Sequence, residues 1–172
     1  MSIHKFQLER AKTPIGEMLL VTDEQDQLRA LDWNDYEDRM HALLRRQYRG
    51  DVIHLEETLG PSRARLALNA YFQGDIAAIN GLRVATGGTD FQRLVWDELR
   101  RVPPGQTLSY GELAARIGKP LAVRAVGAAN GANPIGIVVP CHRIIGTNQS
   151  LTGYGGGLER KRWLLEHERK RD

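Results

Sequence analysis

The strongest constraint on the fold is the Gly-Gly of "ATGGTD", residues 85–90, the best candidate for a domain boundary or tight linker. Ahead of it, residues 6–33 alternate apolar stretches with breakers at Pro14–Gly16 and at the polar Asp23–Gln27, which predicts a small antiparallel meander. Met40, Leu43 and Leu44 then fall at helical spacing in residues 34–50, with Gly50 as the stop. A second helix is expected from Pro61, at its first turn, to Phe72, and a short apolar segment covers 76–87. Past the glycines the punctuation is helical. Thr89-x-x-Gln92 is a capping box for a helix to about Arg101, with Phe91, Leu94, Val95 and Leu99 on one face. Ser109-x-x-Glu112 is a second box, for a helix to about Ile117, and residues 122–133 read as a third helix ended by Asn133-Pro134. Helix, tight turn, helix is the helix-turn-helix pattern. "IGIVVP" reads as a short buried strand, "TGYGGG" as a flexible loop, and Leu158–Arg169 as a closing helix. The fold class expected is α+β, in two domains, 1–87 and 88–172.

Charge is shared unequally across that boundary. Residues 1–87 carry 11 Lys+Arg against 13 Asp+Glu, and residues 88–172 carry 13 against 8, within an overall net charge of +3. A basic second half fits either an anionic partner, nucleic acid first, or an ordinary solvated surface. No apolar run resembles a signal peptide or a membrane span, so the chain is expected to be cytoplasmic, monomeric and without membrane contact. A single cysteine excludes an internal disulfide and a multi-cysteine zinc site, and suits a reducing compartment.

The second helix of the helix-turn-helix is poorly equipped to read bases. Stepping from Arg124 along its face meets Gly127, Ala128 and Gly131, all too short for base edges. One arginine on a smooth track suits close backbone approach to a narrow groove and one inserted side chain. The same small residues would equally let the helix pack tightly on a neighbour, leaving Arg124 solvated. Tyr110 is similarly two-sided. With Leu113, Ala114 and Ile117 it completes a core stripe, yet its hydroxyl could face a phosphate or a base.

The cysteine, Cys141, lies in "IVVPCHRIIG" beside His142. Burial in an apolar strand would make its sulfur inert, so a reactive Cys141 requires a base. Neighbours on a regular strand point to opposite faces, so His142 can serve only on irregular backbone, which Pro140 favours, or through a water. Glu168, four residues after Leu164 on the closing helix, is a candidate to orient the histidine; periodicity does not separate it from His167. Two chemistries remain open on these residues, a Cys-His hydrolase and a thiolate that attacks an alkyl group. The absence of a resolving cysteine leans toward the second.

"PCHRIIG", the "NP" before it, "SYGELA", "VRAVGAANG" and "TGYGGGLERKRWLLEHE", in that set and order, closely resemble the O6-alkylguanine-DNA alkyltransferases, from about Thr89 to Glu168. "TPIGEMLL" extends a weaker resemblance into the first half. The resemblance implies a small ribonuclease H-like α/β N-terminal domain and a mainly helical, winged-helix-like C-terminal domain. It implies irreversible, stoichiometric transfer of an alkyl group from O6 of guanine, and less generally O4 of thymine, in double-stranded DNA. It makes Cys141 the acceptor, His142 the base acting through water and Glu168 the group that orients it. Asn133 would brace the active-site turn, and Arg124 would fill the space of a flipped-out nucleotide on a helix face of Gly127, Ala128 and Gly131. Tyr110 would rotate the 3′ phosphate and bond the leaving guanine. Ile144 and Tyr154 to Gly156 would line the base pocket, supported by Lys161.

Gly155 departs from the family pattern, where many relatives have serine; a roomier pocket and tolerance of larger alkyl groups are expected. Neither cofactor nor metal is expected, nor a regulatory role through an added cysteine-rich domain. The competing functions are a turnover Cys-His hydrolase and a non-catalytic helix-turn-helix DNA binder.

Overall fold

The protein, seen in a computed structural model, is described over residues 1–146 and 154–169. Its residues cluster into two compact units, Met1–Gly88 and Thr89–Asp172.

The first unit holds a four-stranded sheet. Strands β1 (Ile3–Thr13), β2 (Gly16–Thr22) and β3 (Leu28–Trp33) form the antiparallel meander, and helix α1 (Glu37–Gln47) follows one 3-10 turn at Asn34–Tyr36. A fourth strand, β4 (Val52–Thr58), pairs parallel with β1 and sets the order β3-β2-β1-β4. Its alternation is masked in the sequence, because Ile53 and Leu55 are only partly buried and three consecutive positions, Glu56 to Thr58, are polar. Phe6 and Leu8 of β1, Leu19 and Val21 of β2 and Ala30 of β3 make one face, which packs on Met40 and Leu44 of α1. Met18, Leu19, Leu20 and Val21 are all fully buried, so β2 is covered on both faces and reads as a continuous apolar run.

Helix α2 (Arg63–Phe72) starts later than the sequence predicts. Ser62 is its cap, accepting from the Arg65 N–H, and Pro61 lies outside the helix. The Ser62 hydroxyl donates in turn to Glu9 of β1 at 2.7 Å, so a buried carboxylate ties the helix start to the sheet.

The second unit is mainly helical. Helix α3 (Asp90–Leu99) has both halves of its capping box in place, as does α4 (Tyr110–Arg116). The inner face of α3 is Val95, Trp96 and Leu99, whereas Leu94 is 41% exposed, so the predicted stripe is rotated by one tryptophan. The Trp96 indole N–H donates to the Ala129 carbonyl of α5 (Val123–Gly131) at 2.8 Å, which locks α3 against the second helix of the helix-turn-helix. Strands β5 (Leu108–Ser109) and β6 (Ile144–Ile145) pair parallel, two residues each, and α6 (Leu158–Arg169) closes the unit. The stretch expected as strand, residues 135–140, is buried but turns on itself. Val139 donates to the Ile135 carbonyl at 3.0 Å, Val138 to Gly136 at 2.7 Å, and Ile137 takes a φ of 66°. Of the expected "TGYGGG" loop, Thr152 and Gly153 lie outside the described residues.

Candidate active site

Asn133 holds that buried turn from inside. Its side-chain oxygen accepts from the Ile135 N–H at 3.0 Å, and its amide nitrogen donates to the Val139 carbonyl at 2.7 Å. The turn delivers the chain to Pro140 and then to a single 3-10 turn, Cys141–Arg143. In such a turn successive side chains fan out by about 120°. Cys141 and His142 therefore escape the opposed geometry of a strand, which is the irregularity the proline foreshadowed.

All three side chains of this turn are buried, His142 completely. His142 Nε2 lies 2.9 Å from Glu168 Oε2, on the last turn of α6. Arg143 grips the same carboxylate as a fork, with Nε on Oε1 at 2.9 Å and a terminal nitrogen on Oε2 at 2.8 Å. Its other terminal nitrogen donates to the Val102 carbonyl at 2.7 Å. Burial alone would raise the Glu168 carboxyl, but His142 and Arg143 outweigh it and hold the group well below the usual carboxylate range. Burial lowers the His142 imidazole despite Glu168, so the ring is neutral beside an ionised carboxylate. An ionised carboxylate only accepts, so Nε2 carries the ring proton and Nδ1 presents a lone pair. That Nδ1 is buried with no hydrogen-bond partner among the described residues.

Periodicity left His167 and Glu168 unseparated; the structure separates them. His167 stacks on Trp163 with ring centroids 4.6 Å apart, while Glu168 points inward at 0% exposure. Arg143 is the participant that the sequence reading missed. Its signal was available, since an arginine in an otherwise apolar run needs a buried carboxylate.

Lys161 is completely buried on α6 and donates to the Ile144 carbonyl at 2.5 Å. The Ile144 N–H donates to the Cys141 carbonyl, so a single residue links the ammonium to the cysteine. Burial pushes the Lys161 ammonium down to about 8, with Cys141 acting in the opposite sense. The Tyr154 ring stands edge-on to His142 at 6.4 Å. Gly155 is exposed and Gly156 buried, and the Gly156 carbonyl accepts from Arg160 at 3.0 Å.

The face of α5 divides cleanly. Val126, Ala129 and Asn130 are buried, whereas Arg124, Ala128 and Gly131 are exposed. Close helix packing therefore does not consume Ala128 or Gly131; a Cβ built on Gly131 meets nothing within 4 Å. Gly127 is the exception, since a Cβ there would stand 3.8 Å from the Tyr110 ring. Tyr110 itself is half-buried above buried Leu113 and Ala114, and no described hydrogen bond joins Arg124 to the cysteine turn.

Known proteins share this arrangement of sequence. The 6-O-methylguanine DNA methyltransferase models match in two parts, the ribonuclease-like domain over residues 9–86 and the DNA-binding domain over residues 90–170. The chain is 54% identical over 160 residues to a methylated-DNA–protein-cysteine methyltransferase of Salmonella typhimurium, covering 93% of this chain and 94% of that one. The chain belongs to the 6-O-methylguanine DNA methyltransferase family. Another member, from Shigella flexneri, is 50% identical over the same length. Among solved methyltransferase structures, that of Mycobacterium tuberculosis is 39% identical with a TM-score of 0.76, covering 95% of this chain and 93% of that one. The same organism's protein in complex with DNA gives 40% and 0.74, covering 95% and 92%.

Proposed function

We propose that the chain repairs alkylated DNA by moving the alkyl group of O6-alkylguanine, and of O4-alkylthymine less generally, onto Cys141, once per molecule. The observation that carries this reading is the buried His142–Glu168 contact of 2.9 Å, which leaves Nδ1 as the acceptor beside the cysteine turn. Glu168, kept ionised by Arg143, fixes the proton on Nε2. Nδ1 takes the Cys141 proton through a water, and the thiolate attacks the alkyl carbon. The carbon–O6 bond breaks and its electron pair stays on the guanine, which remains in its strand with a hydrogen bond from the Tyr110 hydroxyl and takes up a proton from water to balance the one lost by the thiol. The product is a thioether, and the sole cysteine offers no second thiol to regenerate it.

Recognition falls to residues 88–172. The exposed face of Arg124, Ala128 and Gly131 meets the minor groove of double-stranded DNA, and Arg124 takes the place of the extruded nucleotide. Asn133 braces the nucleophile turn, while Ile144, Tyr154, Gly155 and Gly156 line the base pocket. Exposed Gly155 presents only hydrogen there, which fits larger alkyl groups. Residues 1–87 form a separate N-terminal domain, and the protein works as a cytoplasmic monomer, where a free thiol stays reduced.

The test is mass spectrometry of the chain after incubation with duplex DNA bearing O6-methylguanine. One methyl group on Cys141, never more than one equivalent, is the expected result. Multiple turnovers would make the protein a hydrolase, and no transfer with retained binding would make it a DNA binder only.

A further inference from the structure

The turn between α4 and α5 displays an apolar side chain that the fold does not use. Helix α5 begins at Val123 with Ala122 as its cap, so Leu121 lies just ahead of the cap and Val126 is the fourth residue of the helix. An apolar pair at those two positions ordinarily closes over the first turn as a hydrophobic staple. Here Val126 is fully buried while Leu121 is 98% exposed, so the staple is not made. Leu121 is nevertheless held firmly. The Ala122 N–H donates to the Lys119 carbonyl at 2.9 Å, which closes a β-turn with Pro120 and Leu121 at its corners. The Lys119 N–H donates to the Ala114 carbonyl at 2.9 Å and Gly118 takes a φ of 75°, which anchors the turn on the end of α4.

The surroundings of this leucine indicate its partner. Val123 is 40% exposed, and Arg116, Lys119 and Arg124 are exposed on the same helix-turn-helix. No Asp or Glu stands between Glu112 and Glu159 in the chain. An apolar tip set among cations is complementary to a partner that is anionic outside and apolar within, as duplex DNA is with its stacked bases behind phosphates. Leu121 precedes by three residues Arg124, the side chain proposed for the space of the extruded nucleotide.

We propose that Leu121 is an apolar wedge, which enters the minor groove beside Arg124 and seats against the bases next to the extruded nucleotide, holding that step open. The inference rests on the minor-groove reading of Arg124, Ala128 and Gly131, and adds to it a residue that works by excluding water rather than by charge. Apolar side chains driven into a base step unstack it and bend the duplex. Arg124 occupies the vacated space, and Leu121 removes the stacking surface to which the base would return. Leu121 is in contact with the duplex but with none of the reacting atoms.

The test uses the full chain, a duplex carrying O6-methylguanine with 2-aminopurine as its neighbour, and the variants Leu121→Ala and Leu121→Lys. Leu121→Ala should unfold in urea as the wild type does, because the deleted atoms lie in water. Wild-type binding should raise the 2-aminopurine fluorescence, the response of a base that loses its stacking partner, and Leu121→Ala should lose most of that rise. Single-turnover transfer from the duplex should slow about tenfold in Leu121→Ala, the worth of withdrawing a leucine side chain from water. Transfer from the same lesion in a single strand, which has no paired step to hold open, should slow far less. Leu121→Lys should bind lesion-free duplex more tightly at low salt yet transfer as slowly as Leu121→Ala. Recovery of the rate by lysine overturns the inference, because the residue would then act by charge. Equal slowing on duplex and single strand also overturns it, as does a wild-type dimer in sedimentation that Leu121→Ala dissolves, where the leucine faces a second copy of the chain. Failure of the repair reading shows separately, as wild-type Cys141 left unmodified by both substrates, and the 2-aminopurine signal still decides on the wedge.

Discussion

At the scale of single residues, the centre is a carboxylate with two jobs. Glu168 fixes the tautomer of His142 and neutralises Arg143, so its replacement has separable consequences. Glu168→Gln leaves a buried guanidinium without its anion, and breaking such a pair costs about 3–5 kcal/mol. Urea denaturation should show that loss, and single-turnover transfer should slow in the fraction that stays folded. A second prediction concerns proton uptake. Burial lowers the His142 imidazole, so Nδ1 keeps its lone pair at pH values where an exposed histidine has begun to charge. The transfer rate should hold its plateau through about pH 6.5 and fall only below it. A half-maximal rate at or above that pH would contradict a neutral, buried His142.

At the scale of elements, α5 and α4 make complementary predictions. Gly131→Ala adds a methyl group where nothing lies within 4 Å, at the end of a helix. It should leave stability unchanged or raise it by up to about 1 kcal/mol, since alanine is the better helix former. If the exposed face meets DNA, the same methyl group weakens binding to a lesion-free duplex, measured by fluorescence anisotropy. Stability unchanged with binding unchanged would remove Gly131 from the interface. Ser109→Ala deletes half of the box that starts α4. It should cost about 1 kcal/mol by thermal or urea unfolding and slow transfer as well, because the next residue is Tyr110.

The elements also show why some of the molecule was legible in sequence and some was not. Both capping boxes are local reciprocal bonds, so Thr89/Gln92 and Ser109/Glu112 announced their helices without help from the rest of the chain. The same holds for the inward Glu168, visible through its four-residue offset from Leu164, although only packing could demote His167. What failed were readings that depend on distant partners. The apolar run at residues 135–140 is as buried as a strand but spends its hydrogen bonds on itself and on Asn133. Strand β4 exists because β1 offers an edge to it, a fact absent from its own residues. Arg143 signalled a buried carboxylate by standing in an apolar run, but only packing shows that the carboxylate is the same Glu168 already given to His142.

At the scale of the whole molecule, acid should unfold the protein in two stages. His142 has a folded value below its unfolded one, so its contribution is intact above about 6.5 and is lost as pH falls from there toward the folded value. Glu168 is displaced in the same sense, and its contribution is intact above about 4.3 and lost as pH falls further. Stability from urea melts should therefore decline gently below pH 6.5 and steeply below pH 4.3. In Glu168→Gln the steep limb should shrink. A melt profile identical to the wild type's through that range would show that other carboxylates govern acid unfolding.

The two-stranded sheet of the second unit fastens two distant stretches of its chain together. Leu108 and Ser109 pair with Ile144 and Ile145, so the strand that ends just before Tyr110 is riveted to the strand that begins just after Cys141–Arg143. Tyr110 and Cys141 thus sit at the ends of two chain segments fastened to one small plate, so a shift of either backbone there carries the other. If the transfer proposed above runs on these residues, an alkyl carbon set in register with one segment is set in register with the other.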